Sequence, residues 1–352
     1  MSVATIRAPS SAVTSFVVAS RYMPVYLALI LLVIVASIWA PAALGSVGLS
    51  AIAPYGALLG ITALGQMLVI MTGGIDLSVP GTLTMAAVLM VGVSQQSDGR
   101  IGVAILTAIG VSALIGLVNG ILIGGLKLNA LIVTLAVGQV ALGAVNRYGR
   151  TISVQSPVPT GWSTWVSTRI FGVSPIFWIG AVLTLLLIVA FRYTTVGRRF
   201  QAVGANPVAS RVVGLRVNLN QIAAYVAAAV LYAIAGLALA GLLRIPGVNS
   251  GMPYLLGPIA AVVIGGASLT GGLASPLSTF AAAIFLYGLN HVMRVIGLPT
   301  SLQFVVFGLV IIGGMLVSGD RIIKVVERVF RERRRSRRIE NETIESSIDG
   351  TG

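Results

Sequence analysis

Apolar runs of about 20 residues recur along the whole chain, and each is long enough to cross a hydrocarbon layer about 30 Å thick. Ten of them read as spans, at 23–40, 51–71, 78–94, 101–123, 129–146, 173–191, 219–243, 255–268, 274–292 and 300–318. Only 9% of the 352 residues are charged, against about 25% in a soluble domain. The 42 glycines suit helices that pack closely in lipid. The expected fold is therefore an all-α polytopic membrane protein of about ten transmembrane helices, two of them interrupted. The first run, 23–40, follows Arg7 and Arg21 and exceeds a signal-peptide core of about 7 to 15 residues, so it reads as a retained span. There are no cysteines, which excludes disulfides and thiolate chemistry.

The net charge of +14 reports topology rather than nucleic-acid binding, because much of it lies in one C-terminal run. With the N-terminus inside, the inner segments hold 17 of the 23 Lys and Arg residues and the outer segments 6. Cytoplasmic loops carry such an excess, so both termini are expected in the cytoplasm of a bacterial inner membrane. Three regions follow: a cytoplasmic N-terminal segment 1–22, a transmembrane domain 23–318 and a basic cytoplasmic tail 319–352.

Three connections stand out. The outer one, 147–172, is rich in Ser, Thr, Pro and Gly and reads as loop, with Trp162 and Trp165 suited to an interfacial belt. In the inner one, 192–218, "NPVASRVVGL" predicts a short helix with Asn206 as N-cap and Pro207 at its first position, ending near Gly214. In the tail, Ile322, Ile323, Val325, Val326, Val329 and Phe330 give an apolar helical face among basic residues, which predicts an interfacial helix on anionic lipid. Residues 341–352 read as disordered.

Two spans are too short. Gly81 to Ser94 would give about 21 Å of helix, so part of "GGIDLSVPG" (73–81) must lie below the membrane surface. Leu255 to Ala267 is equally short and runs into "SLTGGLASP". Non-helical backbone at depth is tolerated where it is buried in protein or lines a wet cavity. One interrupted span in each half of a chain points to a transporter's central pathway. The two breaks also match in sequence, Gly73-Gly74-Ile75-Asp76-Leu77-Ser78 against Gly265-Gly266-Ala267-Ser268-Leu269-Thr270. The pathway candidates are accordingly Gly73, Gly74, Asp76, Ser78, Asn119, Gly265, Gly266, Ser268 and Thr270.

Asp76 admits two roles. A charge at the bilayer centre costs about 2.5 to 3.5 kcal/mol. Asp76 or Ser78 can cap the helix that starts near Pro80, or Asp76 can be a polar group at a cavity or gate. Asn119, Asn129, Gln139, Asn146, Asn290 and His291 read as interhelical hydrogen-bonders. Pro258 and Pro276 are expected to end or kink helices. His291 is the only histidine, so a histidine metal site is not available, and no metal site is expected. The sequence has no Gly-x-x-x-x-Gly-Lys-Ser/Thr stretch, no Ser/His/Asp set and no pair of embedded carboxylates, so an enzyme with its own ATPase site is not supported.

Four blocks in the same order carry a resemblance: "GGIDLSVPG" at 73–81, "LNALIVTLAVGQVALGAVNRYGR" at 128–150, "AVGANPVASRVVGLRVN" at 202–218 and "IAAVVIGGASLTGG" at 259–272. Over roughly residues 50 to 320 the chain resembles the permease subunits of bacterial ATP-binding-cassette importers for sugars, the group that includes ribose, xylose and autoinducer-2 permeases. The resemblance implies a dimer of permeases, homo- or heteromeric, and a periplasmic solute-binding protein. It also implies two cytoplasmic ATPase subunits, or one fused ATPase, which would use the ATP and Mg; no cofactor is expected on this chain. It marks 202–218 as the segment received by the ATPase; the basic stretch 198–216 with its capped short helix is expected to insert there, with Arg198, Arg199, Gly204, Ala205, Asn206, Ala209, Arg211 and Gly214 as candidate residues. The chain departs from the family in two places. Pro207, Val208 and Ala209 follow Asn206 where acidic residues are common, and Leu256, Gly257 and Pro258 precede "IAAVVIGG" where an acidic residue is common. The alternatives are a branched-chain amino acid permease, whose family is related, and an ion-coupled secondary transporter that uses Asp76 as its carrier.

Overall fold

The computed structural model describes residues 11–151 and 156–318. The interfacial helix expected in the tail and the disorder expected at 341–352 fall on residues outside them. The described chain is a bundle of fourteen helices. In order they are α1 (Ser11–Trp39), α2 (Pro41–Leu44), α3 (Ser46–Met71), α4 (Val79–Ser94), α5 (Ile101–Gly120), α6 (Ala130–Thr151), α7 (Thr160–Ser167), α8 (Pro175–Tyr193), α9 (Thr195–Ala205), α10 (Pro207–Val212), α11 (Val217–Leu243), α12 (Gly257–Ile264), α13 (Pro276–Val295) and α14 (Thr300–Ser318). Each apolar run of the sequence has a helix. Among the described residues, six stretches are long and apolar enough to cross a membrane: Arg21–Trp39, Ser46–Met71, Asp98–Gly125, Ala130–Gly149, Pro175–Tyr193 and Val217–Leu243. The apolar helices Val79–Ser94, Met252–Ile264 and Thr300–Gly314 are shorter. The chain is thus an all-α polytopic membrane protein.

Local chemistry sets the helix starts. Ser174, Thr194, Asn206 and Ser275 each accept a backbone N–H of the first turn that follows, supplying a partner the helix cannot give itself. Pro258 and Pro276 open α12 and α13 rather than ending or kinking helices, because a missing N–H costs nothing where no intrahelical acceptor exists. The prolines inside helices are Pro24 in α1 and Pro54 in α3.

The expected outer loop contains α7 and a tight turn, Ile170 to Val173. Trp162 turns inward, stacks on Trp165 at 5.1 Å and donates to the Leu237 carbonyl at 3.0 Å, so only Trp165 of the pair is exposed. α9 also lies in a stretch read as loop; its Phe200 packs against Phe191 of α8.

α3 and α11 form the buried axis of the bundle, and α4, α5 and α13 pack on them. α11 can sit there because its buried face is largely Ala and Gly, which lets neighbouring backbones approach. α1, α5, α6 and α8 bury a smaller part of their surface and present leucine, isoleucine and valine outward, as lipid-facing helices do.

Candidate functional site

α3 ends in a left-handed glycine. Gly73 has φ +82°, its N–H donates to the Ile70 carbonyl, and the Gly74 N–H reaches back to Val69. This paired bond stops the helix and uses two of its free carbonyls. The chain then runs without helix to Val79, and side chains from three helices satisfy it. On α3, the fully buried Gln66 amide lies along the Asp76 peptide. In the orientation that pairs every group, its oxygen accepts from the Asp76 N–H at 3.1 Å and its nitrogen donates to the Asp76 carbonyl at 3.1 Å and to the Tyr232 hydroxyl at 3.0 Å. On α6, Thr134 Oγ1 accepts from the Leu77 N–H at 2.9 Å. On α5, Asn119 Nδ2 donates to Ser78 Oγ at 2.9 Å.

The Asp76 carboxylate is 1% exposed. Its Oδ1 accepts from both the N–H and the hydroxyl of Ser78, at 2.8 and 2.6 Å. Ser78 occupies the N-cap position of α4 without using its own side chain as a cap. The acceptor at this helix start is therefore Asp76, through a local turn of the Asx type. Asp76 Oδ2 and the Tyr225 hydroxyl are both buried with no hydrogen-bond partner, and that hydroxyl stands against Gly74, where a β-carbon would strike it. No group of residues able to hold a metal ion occurs among the described residues.

The second break uses the same helix stop. Gly266, φ +83°, donates to the Val263 carbonyl and the Ala267 N–H to Val262. The stop glycines are thus Gly73 and Gly266, one residue out of step with the sequence match. Gly214 and Gly297 end α10 and α13 with the same pair of bonds, so the likeness of the two breaks is a shared way of ending helices. Beyond Gly266 the chain pairs mostly with itself: Ser268 Oγ lies 2.8 Å from Thr270 Oγ1, and the Ser268 N–H donates to Leu273 O at 2.9 Å. The span is also interrupted on its other side. Residues 244–256 are largely exposed, but Gly251 is buried and its N–H donates to Thr84 of α4 at 3.0 Å.

The breaks meet. Thr270 O lies 3.9 Å from where a β-carbon on Gly73 would be, and the Gly272 N–H donates to the Met71 carbonyl at the end of α3 at 2.9 Å. The end of α9 joins them: Gly204 packs directly on the Met71 carbonyl, and Gly272 on Ala205.

Of the residues expected to meet an ATPase, Arg198, Arg199, Ala205, Asn206, Ala209, Arg211 and Gly214 are exposed, while Gly204 is buried against the breaks. Val208, Val212 and Val213 are exposed beside them at 71%, 82% and 74%. Asn206 caps α10 as expected, accepting from the Val208 and Ala209 N–H groups at 3.1 and 3.0 Å. Lys127 stands nearby, its ammonium donating to Asn218 and Gln221. Partial desolvation, and then the positive charge of Arg211, hold it below the ordinary lysine range.

Sequence reasoning passed over Gln66, Thr134, Tyr225 and Tyr232. A lone amide inside a run as apolar as 51–71 was a signal for Gln66; the tyrosines and Thr134 gave none. Among the polar residues singled out, Asn119 bonds across elements, but Asn129 caps α6 through the Leu131 N–H and Asn146 bonds its own helix at Leu142. Gln139 is exposed.

Residues 48–315 match the model of the family described as branched-chain amino acid transport system / permease component. The chain is 32% identical to the autoinducer 2 import system permease protein LsrC of Enterobacter sp. (strain 638), over 85% of this chain and 87% of that one. It is 31% identical to the ribose import permease protein RbsC of Escherichia coli (strain K12), over 74% and 82%. It is 29% identical to the galactose/methyl galactoside import permease protein MglC of the same strain, over 82% and 91%. No solved structure matches the chain.

Proposed function

Since the chain belongs to the family of branched-chain amino acid transport system permease components, we propose that it is the membrane-spanning subunit of an ATP-driven importer and that its solute is a sugar or sugar-like molecule. The observation that carries this reading is the meeting of two interrupted spans with the connection α9–α10, which exposes valines and arginines. Broken helices at the centre of a bundle give a pathway its polar wall. The same connection exposes Val208, Val212 and Val213 together with Arg198, Arg199, Arg211 and Arg216, and a mixture of exposed apolar and arginine side chains has the composition of a docking surface. On this reading α9–α10 lies on the cytoplasmic side and receives an ATPase subunit, where ATP and Mg are used; this chain performs no chemistry.

The relatives named for ribose, galactose and autoinducer 2 favour a sugar over a branched-chain amino acid. The first break gathers Gly73, Gly74, Ser78, Thr134, Asn119 and Gln66 around the buried Asp76, a set rich in the hydroxyl and amide groups that pair with a polyol. The complex contains a second permease subunit, homo- or heteromeric, a periplasmic solute-binding protein and two ATPase subunits or one fused ATPase. Residues 1–22 and the basic tail 319–352 lie in the cytoplasm, and the tail rests on anionic lipid of the bacterial inner membrane.

The test is recovery of the intact complex by pull-down, reconstitution in liposomes and uptake of labelled ribose, galactose, xylose and leucine. ATP-dependent uptake of one of the sugars, requiring a co-purified ATPase and binding protein, is the expected result. Leucine uptake alone would move the chain to the amino acid branch. Uptake by the isolated chain, driven by an ion gradient without ATP, would make it a secondary carrier.

A further inference from the structure

From the contacts at the inner end of the bundle we infer that the end of α9, the end of α3 and the second break form one mechanical unit, with Gly204 as the residue that positions them. The inference rests on the importer reading and goes beyond it by naming which parts move together.

The junction is made of backbone. The Met71 carbonyl, left free by the end of α3, accepts from the Gly272 N–H at 2.9 Å. Gly204 packs on that same carbonyl so closely that a β-carbon would overlap it, and that β-carbon would also stand 2.8 Å from the Gly272 nitrogen. A β-carbon on Gly271 would lie 2.6 Å from Gly204 O and 3.0 Å from Met71 O, and one on Gly272 would lie 2.8 Å from Ala205 Cα and Cβ. Three stretches of chain far apart in sequence thus touch through main-chain atoms, with no flexible side chain between them to absorb a displacement. Packed contacts of this kind shift as a block rather than deform.

The consequence is directional. α10 follows Ala205 after only Asn206, so a push on the exposed α9–α10 face arrives at Gly204. There it bears on Met71, which leads into Gly73 and Asp76, and on Gly271–Gly272, which lead back to Ser268 and Gly266. Both breaks meet that push at one contact. The second break is the more exposed of the two, with Leu269, Thr270 and Leu273 open, so it has room to move where the Asp76 region is enclosed.

Two manipulations of the reconstituted complex test this. Gly204→Val fills the junction; Gly204 is helical, so the change tests space and not backbone conformation. The expected result is a chain that still inserts and still carries the ATPase, with sugar uptake per ATP hydrolysed reduced by about tenfold, within the range typical of coupling between sites. Gly204→Ala should show a smaller reduction. Full uptake per ATP in Gly204→Val overturns the inference.

The second manipulation does not depend on Gly204 variants folding. The chain has no cysteine, so Ala205→Cys with Leu273→Cys can be joined by a short bifunctional methanethiosulfonate. If the segments move as one unit, the joined complex keeps its ATP-driven uptake of the labelled sugar. Loss of uptake on joining, restored by dithiothreitol, means that the segments slide past one another and overturns the inference. A wild-type complex without ATP-driven uptake of any sugar in the panel would instead refute the importer reading itself.

Discussion

The two breaks end a helix in the same way and then part company. After Gly73 the chain is enclosed, and Gln66, Asn119 and Thr134 from three different helices pair its polar groups. After Gly266 the chain bonds within itself, and Leu269, Thr270 and Leu273 stay open. One helix-stop motif thus serves two different ends. A break whose backbone is paired by side chains from three helices, although Asp76 Oδ2 stays unpaired, is the more fixed of the two. The second break, whose loop rests on Met71, Gly204 and Ala205 and keeps Leu269, Thr270 and Leu273 open, is a part that can be displaced. The buried carboxylate belongs to the fixed one, where its turn with Ser78 starts α4.

If that contrast is right, substitutions at the first break should cost stability and those at the second should not. A large effect is expected from Gly138→Leu. A β-carbon there would stand 2.9 Å from Ser78 Cα, so α6 must back away from the break. Overpacking of this kind costs about 1 to 3 kcal/mol or more. Gly143→Leu on the same helix meets nothing within 4 Å and should stay within about 0.5 kcal/mol. Thermal unfolding in detergent compares the pair directly; equal losses would remove the argument that the break is clamped.

Next is Gln66→Leu, which keeps the apolar bulk but leaves the Asp76 N–H and carbonyl without partners. Each orphaned group costs about 1 to 3 kcal/mol. Gln66→Asn, too short to lie along the same peptide, should be nearly as damaging. A melting temperature unchanged from wild type would show that the amide does not hold the break.

Asp76→Ala should cost about 0.5 to 2 kcal/mol, as lost helix caps do. Asp76→Asn keeps an acceptor for the Ser78 N–H and should lie close to wild type in both stability and uptake. Normal folding of Asp76→Asn with no uptake would show that the charge itself is required and that the turn is the lesser part of its role.

The smallest stability effects belong to the second break. Leu269→Ala, at an exposed position, should change stability by about 0.5 kcal/mol or less. Thr270→Trp, at an exposed position, should be silent in unfolding while altering uptake. A large unfolding defect in either variant would erase the contrast between the two breaks.

Much of the site was legible as local chemistry. Asn206, Pro207 and Gly214 mark the ends of α10 in sequence as they do in space, because caps and left-handed stops act within a turn. The short runs at 81–94 and 255–267 announced the two breaks. The sequence match between them misplaced the stop glycine by one residue, since Gly73-Gly74 and Gly265-Gly266 each offer two candidates and only the helix phase selects one. Pro258 and Pro276 were misread because a proline's effect depends on which side of it the helix lies. The partners of the Asp76 region were not legible at all: the Asn119–Ser78 bond joins residues 41 apart and the Thr134–Leu77 bond residues 57 apart.

The sequence by itself determined that this chain crosses a membrane as helices, where two of those crossings fail, and which residues begin and end the short helices. These are consequences of hydropathy and of backbone groups that must be satisfied within a few residues. Only the tertiary structure decided that Gly204 faces inward, that Gln66 pairs with the Asp76 peptide, and that both breaks meet α9 at the Met71 carbonyl. Those contacts join segments far apart along the chain. Which of many glycines and polar side chains meet depends on how whole helices rotate and settle against one another, and no local pattern carries that information.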